Sequence, residues 1–351
     1  MGWRHSHQST RAGGWPTIAE FSRGAVIHVG DTAGVPQQLV AALRAEGVAA
    51  QVVVPPVPLA RAPRALKIFS VPARLGASRR IAAIARRSGA PIVHVHYATA
   101  AFGYLGARIP LVVHAHGSDV RATSSIDRWM LGRVWRAAGA RLVATPDLRR
   151  YVPGSIYLPN PVDLGLFEQA GATDPDLDVF VFAALTDVKG ADRLVQAVER
   201  LRAQRSDVTV SALDGWPYSE AMRAAGATMV PRLAPSDVPA FIARHRVVLG
   251  QQLLGVLGVS ELQAMASGRA VVTHLGPDAD YGGAAPPVVE AHEPDEIASA
   301  ALALLGEPLT AVERGRAGAT WVRAHHDRSA VAKRLVEIYR SELGIDLPRI
   351  G

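Results

Sequence analysis

From residue 25 almost to the C-terminus, short apolar runs alternate with amphipathic helical stretches, and this alternation restricts the fold more than any other feature. Ala25-Val26-Ile27-His28-Val29 reads as a buried strand, followed by a helix over Val35 to Glu46 and a strand over Gln51 to Val54. Ser78 to Ser88 is amphipathic, with Ile81 and Ile84 inward and arginines outward. Strands follow at Ile92 to His96, Leu111 to His114, Arg141 to Val143 and Ser155 to Tyr157, with a helix over Ser125 to Ala138. Turn chemistry at Leu158 to Asp163 then separates this series from a second one. The second runs through strands at Val179 to Ala184, Val208 to Val210 and Val247 to Leu249. Its helices are expected at Ala191 to Arg202, Ser219 to Ala225 and Ser236 to Ala243. Amphipathic helices over Glu296 to Leu305 and His326 to Leu343 close the chain. Such alternation predicts α/β architecture in two doubly wound parallel domains. Ligands of such sheets bind beyond the carboxyl ends of the strands, so a cleft between the domains is expected to be the site.

The 351 residues, 49% of them hydrophobic, suffice for two cores. The expected division is a disordered tail over 1–22, domains over 23–165 and 176–325, and a terminal helical segment over 326–351. With no cysteine, disulfides, thiolate metal sites and a cysteine nucleophile are excluded. No run reaches the ~20 apolar residues of a membrane span. The first sixteen residues lack the apolar core of a signal peptide, so cytoplasmic residence is expected. The net charge of +7 is unevenly spread. No acidic residue lies between Glu46 and Asp119, whereas Arg61, Arg64, Lys67, Arg74, Arg79, Arg80, Arg86, Arg87 and Arg108 do. A one-sign field of this kind suits an anionic membrane surface or a phosphorylated partner, and a solvated helix face explains it equally well. Nucleic acid is not expected, because aromatics for base stacking are few and no helix-turn-helix or zinc-finger pattern occurs.

Gly255 to Val272, GVLGVSELQAMASGRAVV, runs from a glycine-rich loop through a short helix into a strand. A helix N-terminus behind a glycine loop offers unpaired N–H groups to phosphate. Glu261 and Gln263 could hold hydroxyls beside it. The structural alternative is a capping box with Ser260 as N-cap and Gln263 three residues on. Lys189-Gly190 follows the first strand of the second domain, where a lysine could reach a diphosphate. Gly30 and Gly34 bracket the first strand–helix loop but fall short of a dinucleotide fingerprint. His94, His96, His114 and His116 sit in i, i+2 pairs at strand ends. With Asp119 the nearest carboxylate, hydrogen-bonding histidines at a cleft are expected ahead of a metal site.

Together these residues resemble the retaining nucleotide-sugar glycosyltransferases of family 4, which have the GT-B fold. The resemblance is carried by HVGDTAGVPQQLVAALRAEGV, IVHVHYATAAFGYLGARIPLVVHAHGSDVR, ATPDLRRYVPGSIYLPNPVD, Lys189-Gly190 and the loop from Gly255 to Gly268. It implies a donor site of Gly34, Lys189, Gly190, Gly255, Gly258, Val259, Glu261 and Gln263, with His116 near the donor sugar. Lys189 would neutralise the diphosphate, and His116 and Lys189 would be the catalytic pair. His96, Tyr97 and Asp119 would lie on the acceptor side, and the last helix would return to the N-terminal domain. The family's two glutamates, with seven residues between them, fall on Gly255 and Gln263 here, and its arginine five residues before the lysine falls on Ala184. Losing one charge-assisted contact would weaken donor binding by roughly 1–3 kcal/mol. The implied activity is transfer of a hexosyl or N-acetylhexosaminyl group to an acceptor hydroxyl, without metal or other cofactor. The acceptor would be lipid-linked, phosphorylated or a small metabolite. A nucleotide-sugar epimerase and a catalytically weak nucleotide-sugar-binding protein are the alternatives.

Overall fold

Twelve strands form two six-stranded, wholly parallel sheets in the computed structural model, which describes residues 21–55, 71–121, 124–171 and 174–348. The first sheet comprises β1 (Val26–Val29), β2 (Ala50–Val53), β3 (Val93–His96), β4 (Leu111–Ala115), β5 (Ala140–Val143) and β6 (Ile156–Tyr157), ordered β2-β1-β3-β4-β5-β6. The second comprises β7 (Leu177–Val181), β8 (Val210–Leu213), β9 (Thr228–Val230), β10 (His245–Leu249), β11 (Ala270–Thr273) and β12 (Val289–Glu290), ordered β12-β11-β10-β7-β8-β9. Each order reverses once, between β1 and β3 in the first sheet and between β7 and β10 in the second. A reversal makes loops leave the sheet to opposite sides and opens a crevice at the carboxyl ends of the two strands.

Among the described residues there are eleven α-helices, the last three of which follow β12: α1 (Val35–Ala45), α2 (Val71–Arg87), α3 (Ser125–Ala137), α4 (Leu164–Gly171), α5 (Ala191–Gln204), α6 (Ser219–Ala224), α7 (Val238–Ala243), α8 (Val259–Ala266), α9 (Pro294–Gly306), α10 (Pro308–His326) and α11 (Arg328–Leu343). The chain divides into two compact units. The first holds residues 1–144, 148–158 and 331–351, and the second holds 145–147 and 159–330. The expected tail over residues 1–22 lies almost wholly outside the described residues, as do Arg61, Arg64 and Lys67.

In the second unit, Ala191, Leu194, Val195, Ala197, Val198 and Leu201 form the buried stripe of α5. They pack with Val179, Val181, Val210, Val247, Leu249 and Val272 in one core. Each such Val or Leu, fully buried, contributes about 1.5–3 kcal/mol of transfer free energy. Two helices differ from the sequence reading. The helix expected from Ser78 begins at Val71, and α10 was not anticipated. The latter's packing face carries Gly315 and Gly318 where periodicity would demand large apolar residues. A Cβ at Gly315 would stand 2.0 Å from the Gly268 carbonyl oxygen, so only glycine lets α10 lie against the turn after α8. The helix expected from His326 is present and begins at Arg328, because Asp327, with extended backbone (φ −55°, ψ 129°), separates it from α10.

Candidate functional site

In the second unit, Lys189 ends a short 3-10 helix (Asp187–Lys189) in the loop after β7. The residue after it, Gly190, is the N-cap of α5, with φ +74°. A Cβ there would meet Gln252 Cβ at 3.0 Å and Leu253 Cγ at 3.2 Å. Both the left-handed backbone and the lack of room require glycine. The Lys189 carbonyl accepts the Gln252 N–H (2.9 Å), which ties the loop after β7 to the loop after β10. These are the two loops that flank the strand-order reversal.

The loop after β10 is stapled by Glu261. Its carboxylate accepts the Gln251 N–H (2.7 Å) and the Gly258 N–H (2.8 Å), and the residue is only 2% exposed. The N-cap of α8 is therefore Gly258 with Glu261 at the third helical position, and not Ser260 with Gln263. Ser260 lies inside the first turn because the helix begins at Val259. Nor is Glu261 placed to hold a ligand hydroxyl, since both its oxygens serve the backbone. Gly250 makes this possible, as a Cβ there would lie 2.7 Å from Glu261 Cγ. The buried Gln251 completes the loop: its Oε1 accepts the N–H groups of Leu253 (3.1 Å) and Leu254 (2.6 Å), and its Nε2 donates to the Val256 carbonyl (2.6 Å). The Tyr281 hydroxyl accepts the Leu257 N–H at 2.6 Å.

The start of α8, at Val259 and Ser260, is half-buried. The N–H groups of Val259 and Ser260 have no intrahelical acceptor, and the ammonium of Lys189 lies 3.6 Å from where a Cβ of Gly258 would be. Lys189 and the α8 N-terminus thus converge on Gly258. Lys189 is one of three lysines in a chain with 38 Lys and Arg together, a bias the sequence reading passed over. Gly255, at φ +67°, packs on Gly276, whose N–H donates to the Gly255 carbonyl (2.8 Å). It offers no side chain to a ligand. Gln263 and Ala184 are half-buried.

The first unit carries a buried imidazole cluster at the carboxyl ends of β1, β3 and β4. His28, His94, His96 and His114 are at most 1% exposed, and His116, just beyond β4, is half-buried. His28 Nδ1 and His96 Nε2 share a hydrogen bond (2.9 Å), as do His96 Nδ1 and His116 Nε2 (3.0 Å). The Tyr339 hydroxyl of α11 lies 2.7 Å from His94 Nδ1 and 3.4 Å from His28 Nε2. Burial holds the His28 pKa down at about 3 and that of His116 at about 4, and drives His94, His96 and His114 well below the usual value, with repulsion among the rings adding to it for these three. The rings are therefore neutral at neutral pH. His94 and His96 stack nearly parallel (4.5 Å, 6°), so their in-plane lone pairs do not converge on one point, and the nitrogens of His96 and His116 face each other. This is hydrogen-bonding and stacking geometry.

Two residues expected on the acceptor side are not placed for contact with one. His96 is buried with both ring nitrogens engaged. Asp119 is 2% exposed, and its carboxylate accepts the N–H groups of Ala98 (2.6 Å), Gly117 (2.8 Å) and His116 (3.1 Å). Burial raises its pKa against the opposing pull of those N–H groups. Asp119 thus shapes the loop that presents His116. Tyr97 is half-buried at φ +93°, ψ +100°, an unfavourable conformation for a side-chain-bearing residue, and shares a hydrogen bond with Ser118 (3.0 Å). Gly34 is the N-cap of α1 in open space, its N–H donating to Asp31 at 3.3 Å.

The Glycosyl transferase 4-like domain family matches residues 31–163, and the Glycosyl transferases group 1 family matches residues 177–307. The chain belongs to the family 4-like glycosyltransferases. Solved structures agree on the fold, GT-B. Sucrose-phosphate synthase from Thermosynechococcus elongatus superposes with a TM-score of 0.72 at 17% identity, covering 91% of this chain and 99% of that one. HepE of Anabaena, solved with UDP and glucose, gives 0.68 at 14% identity over 91% and 100%. A glycosyltransferase from Rickettsia africae gives 0.66 at 11% over 92% and 99%. No curated protein matches the sequence. In this glycosyltransferase, the loops holding Lys189 and Gly258 fall within the group 1 match, and the imidazole cluster, apart from His28 and Tyr339, falls within the 4-like match.

Proposed function

We propose that the chain transfers a glycosyl group, with retention, from a nucleotide diphosphate sugar to an acceptor hydroxyl. The observation that carries the donor assignment is the convergence of Lys189 and the α8 N-terminus on Gly258, beside the strand-order reversal of the second sheet. Phosphate oxygens there would receive a point charge from Lys189 and hydrogen bonds from Val259 and Ser260. The bond from the anomeric carbon to the phosphate oxygen breaks, the electron pair leaves with the diphosphate, and the acceptor oxygen forms the new bond on the same face. A diphosphate oxygen takes the acceptor's proton. Stabilisation of the departing charge is the main catalytic contribution, and Lys189 supplies it without a divalent cation. His116 is a catalytic residue of the transfer. Gln263 holds a ribose hydroxyl as an uncharged partner, which favours a weakly bound donor. Because HepE has been solved with UDP-glucose, uridine diphosphate sugars are the first to test, as hexosyl and N-acetylhexosaminyl donors. Proton NMR of the product reads the anomeric configuration: retention supports the reading and inversion refutes it. Transfer that survives chelation of divalent cations supports the role of Lys189, and loss of activity on chelation would contradict it.

The acceptor we propose is lipid-linked, presented to the first unit at an anionic bilayer. On α2, Arg74, Arg79, Arg80, Arg86 and Arg87 are exposed. A short 3-10 helix (Ala98–Tyr104) packs against both α2 and α3. Its Phe102 meets Trp129 of α3 (5.8 Å), over which Arg133 lies at 4.6 Å. Trp129 and Ile126 are 55% and 71% exposed. Exposed Trp and Ile among arginines suit the boundary between headgroups and acyl chains. No helix among the described residues is long and apolar enough to cross a membrane. Flotation with phosphatidylglycerol vesicles tests the contact: binding lost on Trp129→Ala with Ile126→Ala supports it, and absence of binding by the unaltered protein removes it.

A further inference from the structure

We propose that His28, His96 and Tyr339 are positioning residues, forming a hydrogen-bonded chain that holds His116 in one ring orientation and one tautomer, its Nδ1–H turned outward from the cluster. The proposal rests on the reading that His116 is a catalytic residue of the transfer, and it concerns how the rest of the cluster prepares it.

A neutral imidazole has one N–H and one bare nitrogen. In a chain of such rings, the proton position on one therefore dictates the position on the next. Three contacts link the members here: Tyr339 Oη to His28 Nε2 (3.4 Å), His28 Nδ1 to His96 Nε2 (2.9 Å), and His96 Nδ1 to His116 Nε2 (3.0 Å). Only two proton arrangements satisfy all three, and they run in opposite directions. The choice is made at Tyr339, whose hydroxyl also lies 2.7 Å from His94 Nδ1. If Tyr339 donates to His94, the His94 proton must sit on Nε2, which is buried without a partner. If His94 Nδ1–H donates to the Tyr339 oxygen, that same Nε2 is a bare lone pair. A buried, unpaired N–H is the rarer defect in proteins, so the second arrangement is favoured. Tyr339 then donates to His28 Nε2, His28 Nδ1 donates to His96, and His96 Nδ1 donates to His116 Nε2. The remaining proton of His116 is on Nδ1.

The backbone of His116 is fixed independently, by the bond from its N–H to Asp119 Oδ1 (3.1 Å). With the main chain held by Asp119 and Nε2 held by His96, the ring has one free polar atom. Among the five rings His116 alone is not buried, so this atom is the cluster's outlet. An outward N–H donates to a sugar or phosphate oxygen, whereas the Nε2–H form that imidazole favours in water would present a bare nitrogen. The 3.4 Å contact is the longest of the chain and the place to break it without touching His116.

The test compares wild type, Tyr339→Phe, His96→Val, His96→Asn and His116→Ala, using long-range nitrogen–proton NMR on protein labelled with 15N-histidine, alongside transfer kinetics. Wild-type His116 is expected to be protonated on Nδ1 and bare on Nε2. Tyr339→Phe leaves His28 Nε2 unpaired, and a bare nitrogen is again the milder defect, so the His116 proton should stay on Nδ1. His96→Val removes the hydrogen bond that holds His116 Nε2 and should lower kcat about tenfold, with the donor KM changed less than twofold, and His96→Asn, whose amide can still donate to His116, should restore part of the rate. If His116 shows the Nε2–H form in the wild type or in Tyr339→Phe, the chain direction is refuted whatever the kinetics. An unchanged rate in His96→Val, where His116→Ala is impaired, refutes the positioning role. If His116→Ala transfers sugar as fast as the wild type, the assignment of His116 to the transfer fails, while the tautomer results still decide the chain.

Discussion

Acidification should unfold the first unit before the second. The five clustered histidines, His28, His94, His96, His114 and His116, all have pKa values held below the 6.5 of an exposed imidazole, mainly by burial. The unfolded chain therefore binds protons that the folded unit refuses, and stability falls as pH drops below 6.5. It is fully present above 6.5 and is lost progressively toward the folded-state values. For His28 and His116, at about 3 and about 4, the loss by pH 5 is about 2 kcal/mol each. The two together lose about 4 kcal/mol, a large part of a domain's ~5–15 kcal/mol, and His94, His96 and His114, held well below the usual value by burial, add to the loss in the same direction. Tyr339, the titratable group facing them from α11, stays protonated throughout because burial raises its pKa. Asp119, with a raised pKa, acts in the opposite sense, but one carboxyl cannot offset five rings. The second unit has His245 and His326 at about 4, a loss of about 4 kcal/mol by pH 5. Near-UV circular dichroism from pH 8 to 4 at constant ionic strength, with limited proteolysis to locate the cuts, measures the order. His114→Leu removes a ring with neither nitrogen paired, and should stabilise more at pH 5 than at pH 8. A first unit still folded at pH 4, or an equal effect of His114→Leu at both pH values, would refute the reasoning.

Other outcomes follow from the loop geometry. Glu261→Ala strands the buried N–H groups of Gln251 and Gly258 and should cost about 2–5 kcal/mol by urea denaturation; a loss under 1 kcal/mol would show that the staple is dispensable. Gly315→Ala forces α10 off the Gly268 backbone and should cost about 1–3 kcal/mol. Gly306→Ala, with nothing within 4 Å, is the control and should leave the melting temperature unchanged or raise it. Lys189→Arg keeps the charge but carries a planar head into a site that uses a point charge; transfer should fall at least tenfold, and full activity would contradict that geometry.

The sheets were legible because parallel strands buried on both faces are short apolar runs, and α5 was legible because its apolar stripe is regular. The α10 helix was hidden for the opposite reason: Gly315 and Gly318 replace the large apolar residues that reveal a helix. At the candidate site, residue types pointed to Lys189, Gly258 and the helix N-terminus, all of which converge. Local spacing could not say which carboxylate faces a ligand. Ser260 and Gln263 satisfy the capping pattern as well as Gly258 and Glu261 do, and only the depth of Gly250 shows that Glu261 turns inward. The imidazole cluster was half legible. The i, i+2 pairs put His94 with His96 and His114 with His116 on strand faces, but His28 and Tyr339 join them through strand order and α11, over sequence separations of 66 residues or more.

Isothermal titration of uridine diphosphate sugars into the wild type and Lys189→Ala tests the central claim most directly. A donor held at Gly258 should bind the wild type and lose at least tenfold in affinity in Lys189→Ala, with the variant's melting temperature unchanged. At 100 times its Kd, the same donor should add about 2.7 kcal/mol to wild-type stability. Equal affinity in the two proteins would contradict the account, because the donor diphosphate would then lie away from Lys189 and α8.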